Sequence, residues 1–394
     1  MSSDPIGVRR REFLRQAASA SALVLVSPSF LPAALPLDRR IRVGVIGCGS
    51  VSGMYLPHLA KSPHVEVVSL CDRRPDRAAS RGDEFRIAAR YDSLETMLAG
   101  EPFDLLVNLT DMQEHGRLNQ MALTADRHVW SEKPLANTYR EGKALLELAA
   151  QRGKRIWGAP AVVNSPQFAE MARLLGDGRL GRVAAAHAHY GHTGPHWSAF
   201  FYEELGGSLP DLGVYNLATL TGLLGPAKSV VAMTSVITPQ RTVDDKGAIE
   251  VKAEDNAMVL MEHASGVLSH VQCGFNYFDP YGHEGDGQDR PTISVWGSQG
   301  SMHLIGYDWA PFAVELATAE QPTPVRLATD TADYVWEQGA SVIAQSLVSG
   351  SEPLIAAQHA LHVLEVIEAA RDSQRTGKRV MLESTFAWPV VRAE

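Results

Sequence analysis

Two short stretches of this 394-residue chain carry side chains spaced to move a proton together. Lys133 stands in Ser131-Glu132-Lys133-Pro134-Leu135, with a carboxylate before it and a proline that can fix the turn after it. An ammonium aimed in this way hydrogen-bonds a reacting oxygen and lowers its pKa. Asp211 and Tyr215 lie one helical turn apart in Gly206-Gly207-Ser208-Leu209-Pro210-Asp211-Leu212-Gly213-Val214-Tyr215, so a carboxylate and a phenol share one helix face. Ser208 is expected to cap that helix, with Pro210 in its first turn and Asp211 completing a capping box. Beside a lysine, the pair can bind a substrate hydroxyl and take or return its proton. A free phenol has a pKa of about 10, so Tyr215 is expected to act as acid and base through a phenolate stabilised by Lys133, with Asp211 as the substrate anchor.

A second chemistry is nucleotide binding. Gly47-Cys48-Gly49-Ser50-Val51-Ser52-Gly53 follows the β-branched run at 41–46 and precedes a helical segment at 54–61. Strand, glycine turn and helix bring backbone N–H groups close to a pyrophosphate at the helix N-terminus, although Ser52 occupies the third glycine position. A second strand at 65–70 ends at Asp72, about 25 residues after Gly47, where a carboxylate meets the adenosine ribose hydroxyls. Asp72 favours NAD; Arg73 beside it can accept a 2′-phosphate or stack on adenine, so NADP stays open. The expected cofactor contacts here are Gly47, Gly49, Ser50, Val51, Ser52, Asp72 and Arg73.

The elements that position these residues are legible as pattern. Further strand-like runs at 105–109, 128–130 and 155–157 alternate with helical segments such as 139–152, which means a doubly wound parallel sheet of the Rossmann kind. From 159 onward the pattern changes to runs at 183–190, 229–237, 257–262, 267–275, 293–296 and 301–305. These suggest one large mixed or antiparallel sheet, closed by helices at 336–349 and 356–374. The expected fold is α/β: a Rossmann domain over 37–158, then an α+β domain over 159–394 with a large open, mostly antiparallel sheet.

Glu132-Lys133-Pro134 after the fifth strand, Thr110 and His115 after the fourth, and the Gly206 to Tyr215 segment together resemble the Gfo/Idh/MocA family of oxidoreductases, over about residues 40–390. The resemblance implies a Rossmann domain paired with a second domain whose open sheet covers the nicotinamide and often makes the oligomer contact, hence a homodimer or homotetramer. It also implies a sugar, inositol or related polyol as substrate, and adds Thr110, His115, Glu132 and Lys133 to the cofactor contacts. Asp111 stands where the family usually has proline. Tyr215 replaces the commoner histidine, as in the glucose–fructose oxidoreductase and dihydrodiol dehydrogenase branches.

His187, His189, His192 and His196 cluster in sequence, and the first two share one strand face. No cysteine or carboxylate accompanies them at ligand spacing, so no metal is expected. The loop from Gly191 to Trp197 presents rings and donors suited to a sugar, which makes His192, His196 and Trp197 the expected substrate contacts. Asn276-Tyr277-Phe278-Asp279 is a further candidate.

The first 36 residues carry a separate message. Arg9, Arg10 and Arg11 lead into Glu12-Phe13-Leu14-Arg15 and then a short apolar stretch at 17–26, which resembles a twin-arginine export signal followed by a linker. The stretch is too short for a membrane span. With 36 Lys and Arg against 45 Asp and Glu, the net charge is −9, which argues against a nucleic-acid partner. Three cysteines cannot form a disulfide framework. The expectation is a periplasmic or extracytoplasmic NAD-dependent oxidoreductase, passed folded through the twin-arginine translocase and retaining its cofactor. It would oxidise a sugar CH–OH group by hydride transfer to the nicotinamide. Two alternatives stand: an NAD-dependent glycosidase working by transient oxidation, elimination and re-reduction, and a non-catalytic NAD- or sugar-binding protein.

Overall fold

The apolar run at 41–46 forms β1 (Ile41–Ile46), with Val43 and Val45 wholly buried because helices cover both faces of its sheet. The computed structural model describes residues 39–280, 289–327 and 334–391. The twin-arginine segment expected over 1–36 lies outside them. Among the described residues, β1, β2 (Val65–Cys71), β3 (Ala89–Tyr91), β4 (Leu105–Asn108), β5 (His128–Ser131) and β6 (Ile156–Gly158) pair in parallel in the order β3-β2-β1-β4-β5-β6. Helices α1 (Ser52–Lys61), α2 (Pro75–Phe85), α3 (Leu94–Ala99), α4 (His115–Thr124) and α5 (Tyr139–Gln151) connect them. The strand order reverses between β1 and β4, so a ligand crevice opens at their carboxyl ends.

Beyond α6 (Pro166–Gly176) the chain builds a second sheet. Its strands are β7 (Val183–Gly191), β8 (Ala227–Ser235), β11 (Asn256–His263), β12 (Leu268–Gly274), β13 (Pro291–Gly297), β14 (Gly300–Tyr307), β15 (Ala310–Thr318), β16 (Val325–Leu327) and β17 (Val380–Met381), while β9 (Gln240–Val243) and β10 (Gly247–Glu250) form a separate ribbon. The sheet runs β16-β15-β14-β13-β7-β12-β11-β8-β17, antiparallel throughout except for the β7–β12 pair. This is the expected architecture. The sequence pattern did not reveal β3, the β9–β10 ribbon or β15 to β17; several of these are short or edge strands whose alternation is interrupted.

Helix α7 (Val214–Leu224) packs on this sheet, as does α9 (Ala357–Thr376), which follows α8 (Gly339–Ser349) and also reaches α5 and β6. One hydrophobic core runs unbroken from Val43 and Val107 of the parallel sheet to Val271 and Ile293 of the second. Every residue of α7 is buried except Tyr215. A helix buried on all sides is fixed on all sides, so Tyr215, half-buried among buried neighbours, is held on a rigid support.

Candidate active site

The site starts from two turns at the crevice. Gly47 takes φ +91° at the end of β1, and a Cβ there would lie 2.5 Å from the Leu109 carbonyl, so only glycine lets the first turn pack on the loop after β4. At Gly49 the same test meets only Arg77, 3.3 Å away, which leaves the turn's backbone accessible. Helix α1 then begins with no side-chain cap and no acid in its first turn. Its leading N–H groups therefore lack a protein acceptor from a side chain, which fits an anionic pyrophosphate. Gly47, Gly49, Ser50, Val51 and Ser52 form this turn and the head of α1, with Ser52 buried and its hydroxyl donating to the Gly49 carbonyl at 2.6 Å. Asp72 is buried, and its two oxygens accept the backbone N–H groups of Cys48 (2.7 Å) and Arg74 (2.8 Å), tying the glycine turn to the head of α2. Arg73 is exposed and pairs with Asp111 at 3.2 Å.

The second turn follows β5. Glu132 is buried; its carboxylate accepts the Tyr55 hydroxyl at 2.6 Å and the Lys133 backbone N–H at 3.0 Å. Trp130 Nε1 donates to the same Tyr55 oxygen at 3.3 Å. Beneath lies an amide network: Asn108 bonds Thr110 and Asn119, and Asn119 bonds Ser131 and the Leu135 carbonyl. His115 is a strut of this assembly. It is buried, with one ring nitrogen 2.7 Å from the Pro134 carbonyl and the other 3.0 Å from that of Thr110, so its nitrogens face the protein and not the crevice. Burial lowers its pKa.

Lys133 projects from this turn to Asp211. Its Nζ lies 2.6 Å from Asp211 Oδ1 and 2.9 Å from the Asp211 carbonyl, with both side chains largely shielded. Asp211 Oδ2 carries no protein hydrogen bond among the described residues. The same Nζ lies 5.3 Å from the centre of the Tyr215 ring.

Two expectations are corrected here. Ser208 does not cap its helix: it has helical dihedrals and no side-chain cap bond, and residues Leu209–Gly213 form a π-helical turn. The cap comes from another part of the chain, through half-buried Glu254, whose Oε1 accepts the Leu209 N–H at 2.9 Å. Nor is Tyr215 set up as a phenolate. Lys133 directs two of its three donors to Asp211 and sits over the ring, and burial, together with the charges of Glu132 and the neighbouring Tyr190, Asp211 and Asp308, holds the phenol well above 10. Its hydroxyl has no protein hydrogen-bond partner among the described residues and keeps its proton.

The expected substrate contacts divide. His192 approaches the site through Tyr190, whose ring lies 6.1 Å from His192 and 6.3 Å from Tyr215. His196 and Trp197 stay on the rim: His196 pairs with Asp244 at 3.0 Å, and Trp197 packs edge-on against Phe201. Neither bonds Lys133, Asp211 or Tyr215. Asn276 and Asp279 are structural, holding Thr238 and Arg241, and Tyr307 and Arg290, respectively. His187 stacks on His189 and bonds His270, and among the described residues no group of three or more ligating side chains is placed to hold a metal ion. Sequence reasoning missed Tyr55, Asn119, Glu254 and Asp308. None belongs to a motif, and only the fold brings them to the site.

A parallel sheet with a glycine turn at its switch point, a lysine–carboxylate pair and a proton-bearing phenol define a nicotinamide-dependent oxidoreductase. The comparisons with known proteins specify it further. Residues 41–159 match the model of the oxidoreductase family with an NAD-binding Rossmann fold, and residues 168–303 match that of the GFO/IDH/MocA C-terminal domain. The chain carries both domains of the Gfo/Idh/MocA oxidoreductases and belongs with them. D-apiose dehydrogenase of Paraburkholderia graminis is 27% identical over 374 residues, covering 89% of this chain and 92% of that one. Among solved structures, the aldose-aldose oxidoreductase from Caulobacter crescentus complexed with glycerol superposes with a TM-score of 0.74 at 21% identity, covering 87% of this chain and 100% of that one. The WlbA dehydrogenase from Bordetella pertussis in complex with NADH and UDP-GlcNAcA gives 0.69 at 20% identity, covering 88% and 99%.

Proposed function

We propose that this protein oxidises a CH–OH group of a sugar or polyol, or reduces the corresponding carbonyl, with Lys133, Asp211 and Tyr215 handling the hydroxyl proton. The observation that carries the reading is the shielded Lys133–Asp211 pair, 2.6 Å apart, beside Tyr215 at the carboxyl edge of the nucleotide-binding sheet. Bound NAD supplies the hydride acceptor at its nicotinamide C4. The chain's part is proton handling. A substrate hydroxyl near Lys133 Nζ develops negative charge as its proton leaves, the ammonium stabilises that charge, and the charge is discharged into the C=O bond as hydride departs. Asp211 Oδ2 is free to accept the proton. Tyr215, which keeps its own proton, donates a hydrogen bond to the same oxygen, and in the reducing direction the proton held by Asp211 returns to that oxygen. Tyr55 and Glu132 hold the lysine backbone in place.

The sugar assignment draws support from the similar proteins, two of which are named for apiose and aldoses and one of which was crystallised with UDP-GlcNAcA. Export through the twin-arginine translocase to a periplasmic or extracytoplasmic site remains part of the proposal, resting on Arg9 to Arg15. A folded enzyme exported with its cofactor has no pool of free NAD to draw on, so the cofactor stays bound through turnover. Self-association as a dimer or tetramer is supported by Met233, Met258, Leu260 and Leu268, exposed on neighbouring strands β8, β11 and β12. Among the described residues no helix is long and apolar enough to cross a membrane.

The test is to purify the full chain, identify any bound nucleotide by mass spectrometry, and offer single sugars, sugar pairs and chromogenic glycosides. NADH formation or paired turnover supports the proposal. Chromophore release without net NADH supports the glycosidase instead. A protein that binds nucleotide and sugar yet turns over none of these would be the non-catalytic binder.

A further inference from the structure

One side chain of the loop after β4 reaches into the second domain, and the proton chemistry makes no use of it. The backbone of that loop packs on the nucleotide turn, since a Cβ on Gly47 would lie 2.5 Å from the Leu109 carbonyl and 2.8 Å from the Thr110 nitrogen. Gln113 thus extends from a wall of the nucleotide site. Its Nε2 donates to the carbonyls of Phe200 (2.8 Å) and Glu204 (3.3 Å), and with two carbonyls before it only the NH2 end of the amide fits there. Its own carbonyl accepts Asn137 Nδ2 at 2.8 Å, four residues after Lys133. One residue therefore joins the glycine turn, the lysine turn and the loop at 198–206 that leads to Asp211.

That loop is shaped to receive the amide. The Gly206 N–H turns back to the Glu203 carbonyl (2.9 Å) and the Gly207 N–H to that of Phe201 (2.8 Å), which leaves the Phe200 and Glu204 carbonyls for Gln113. A Cβ on Gly206 would lie 2.6 Å from the carbonyl oxygens of Phe200 and Phe201, so only glycine lets the turn close this tightly. Leu205, between Glu204 and Gly206, has φ +68°, a left-handed conformation that a residue other than glycine adopts at a cost. Such strain persists where the surroundings impose it. Behind the loop, Arg371 of α9 donates to the Gly206 carbonyl at 2.8 Å, and Asp245 of the β9–β10 turn accepts Ser198 Oγ (2.6 Å) and the Ala199 N–H (3.0 Å). Arg371 and Asp245 hold the loop to its own domain, whereas Gln113 holds it to the other.

Resting on the reading that the crevice at the carboxyl ends of β1 and β4 holds a dinucleotide, we infer that Gln113 is a latch that retains the cofactor. It fastens the second-domain loop to the wall of the nucleotide site, and the dinucleotide leaves when those two bonds open. The dissociation rate is then the rate from the unlatched form multiplied by the fraction of molecules unlatched. Gln113 is a positioning residue in this scheme: it sets how long the cofactor stays and takes no part in the proton transfer.

The test is stopped-flow release of NADH, followed by its fluorescence, from the wild type, Gln113→Leu and Gln113→Glu, with 5′-ADP affinity measured by calorimetry. Leucine keeps the bulk without the donors, and glutamate sets a carboxylate against two carbonyls. The expected result is NADH release roughly tenfold faster from Gln113→Leu and faster still from Gln113→Glu, because each lost bond shifts the latch several-fold. The shorter 5′-ADP, whose contacts at the glycine turn are untouched, should bind within about twofold of wild type, which also shows that the variants fold. Unchanged NADH release in both variants overturns the inference. So does an equal loss of 5′-ADP affinity, which would make Gln113 a support of the nucleotide turn and not a latch. A wild type that binds neither NADH nor 5′-ADP overturns the dinucleotide reading itself, and the inference with it.

Discussion

Two carboxylates flank the start of helix α7 and differ in what neutralises them. Asp211 meets a cation, with the Lys133 ammonium at 2.6 Å. Asp308, in the turn between β14 and β15, meets only neutral donors: its Oδ2 accepts Asn216 Nδ2 and Thr219 Oγ1, each at 3.0 Å. Among the described residues, Asp308 Oδ1 and Asn216 Oδ1 are both buried without a hydrogen-bond partner, and so is the Tyr334 hydroxyl nearby. Burial pushes the Asp308 carboxyl up to about 6. The ionic pair keeps a free carboxylate oxygen beside a phenol at the crevice, which is what proton transfer needs. The neutral cluster instead braces the residues on either side of Tyr215. A buried charge with a cation can serve chemistry; one without becomes a liability that the fold tolerates.

The largest effect expected from breaking this contrast is at Lys133. Lys133→Met removes the cation that stabilises the developing alkoxide and strands Asp211, so kcat/KM should fall by about 10³-fold. Stability should fall by about 3 kcal/mol, because the surviving carboxylate is left shielded and unpaired. Steady-state kinetics and urea titration measure the two together, and a variant with near-native kcat/KM would remove Lys133 from the mechanism.

Asp308 should act through stability and pH. Its folded pKa of about 6 lies above the usual 3.8, so the folded state binds the proton more tightly than the unfolded chain does. The stabilisation that this group contributes is complete below about pH 4 and is lost as pH rises through 6, a change of about 2–3 kcal/mol. Asp308→Asn keeps an acceptor for Asn216 and Thr219 without the charge. It should therefore flatten the fall in stability between pH 4 and 7, read from urea midpoints across that range. An unchanged slope would mean that Asp308 is ionised throughout.

Tyr215→Phe sharpens the comparison from the other side. The hydroxyl has no protein partner to strand, so stability should move by less than about 1 kcal/mol while kcat/KM drops about tenfold, the loss of one neutral donor to the substrate oxygen. A loss as large as that of Lys133→Met would restore Tyr215 as the principal proton carrier.

Much of this was legible before any coordinates. The parallel sheet announces itself in β-branched runs that need no alternation because both faces are covered, and the glycine turn and Glu132-Lys133-Pro134 lie on contiguous residues. What the pattern could not show were contacts made across long sequence separations. Glu254 capping Leu209 joins residues 45 apart, and Tyr55 bonding Glu132 joins residues 77 apart. Ser208 fits the local pattern for a cap, yet it has helical dihedrals and the Asp211 N–H turns to the Gly207 carbonyl, while Glu254, just before β11, accepts the Leu209 N–H. His115 likewise reads as a crevice residue by its position, yet its ring is turned inward between two carbonyls.

The rim supplies the smallest expected effect and a control for the whole comparison. His196 and Asp244 are hydrogen-bonded at 3.0 Å with side chains 76% and 69% exposed, the opposite extreme from Lys133 and Asp211. Water screens such a pair, and ordering two mobile side chains offsets most of the attraction, so His196→Ala should change stability by less than about 0.5 kcal/mol. If the loop touches the sugar at all, the variant should raise KM a few-fold and leave kcat unchanged, because a rim contact binds substrate and transition state alike. A fall in kcat would place His196 in contact with the reacting atoms. That outcome would require the loop to close inward on binding, carrying His196 from Asp244 toward Tyr215, and the rigid separation of rim from ionic centre drawn here would fail.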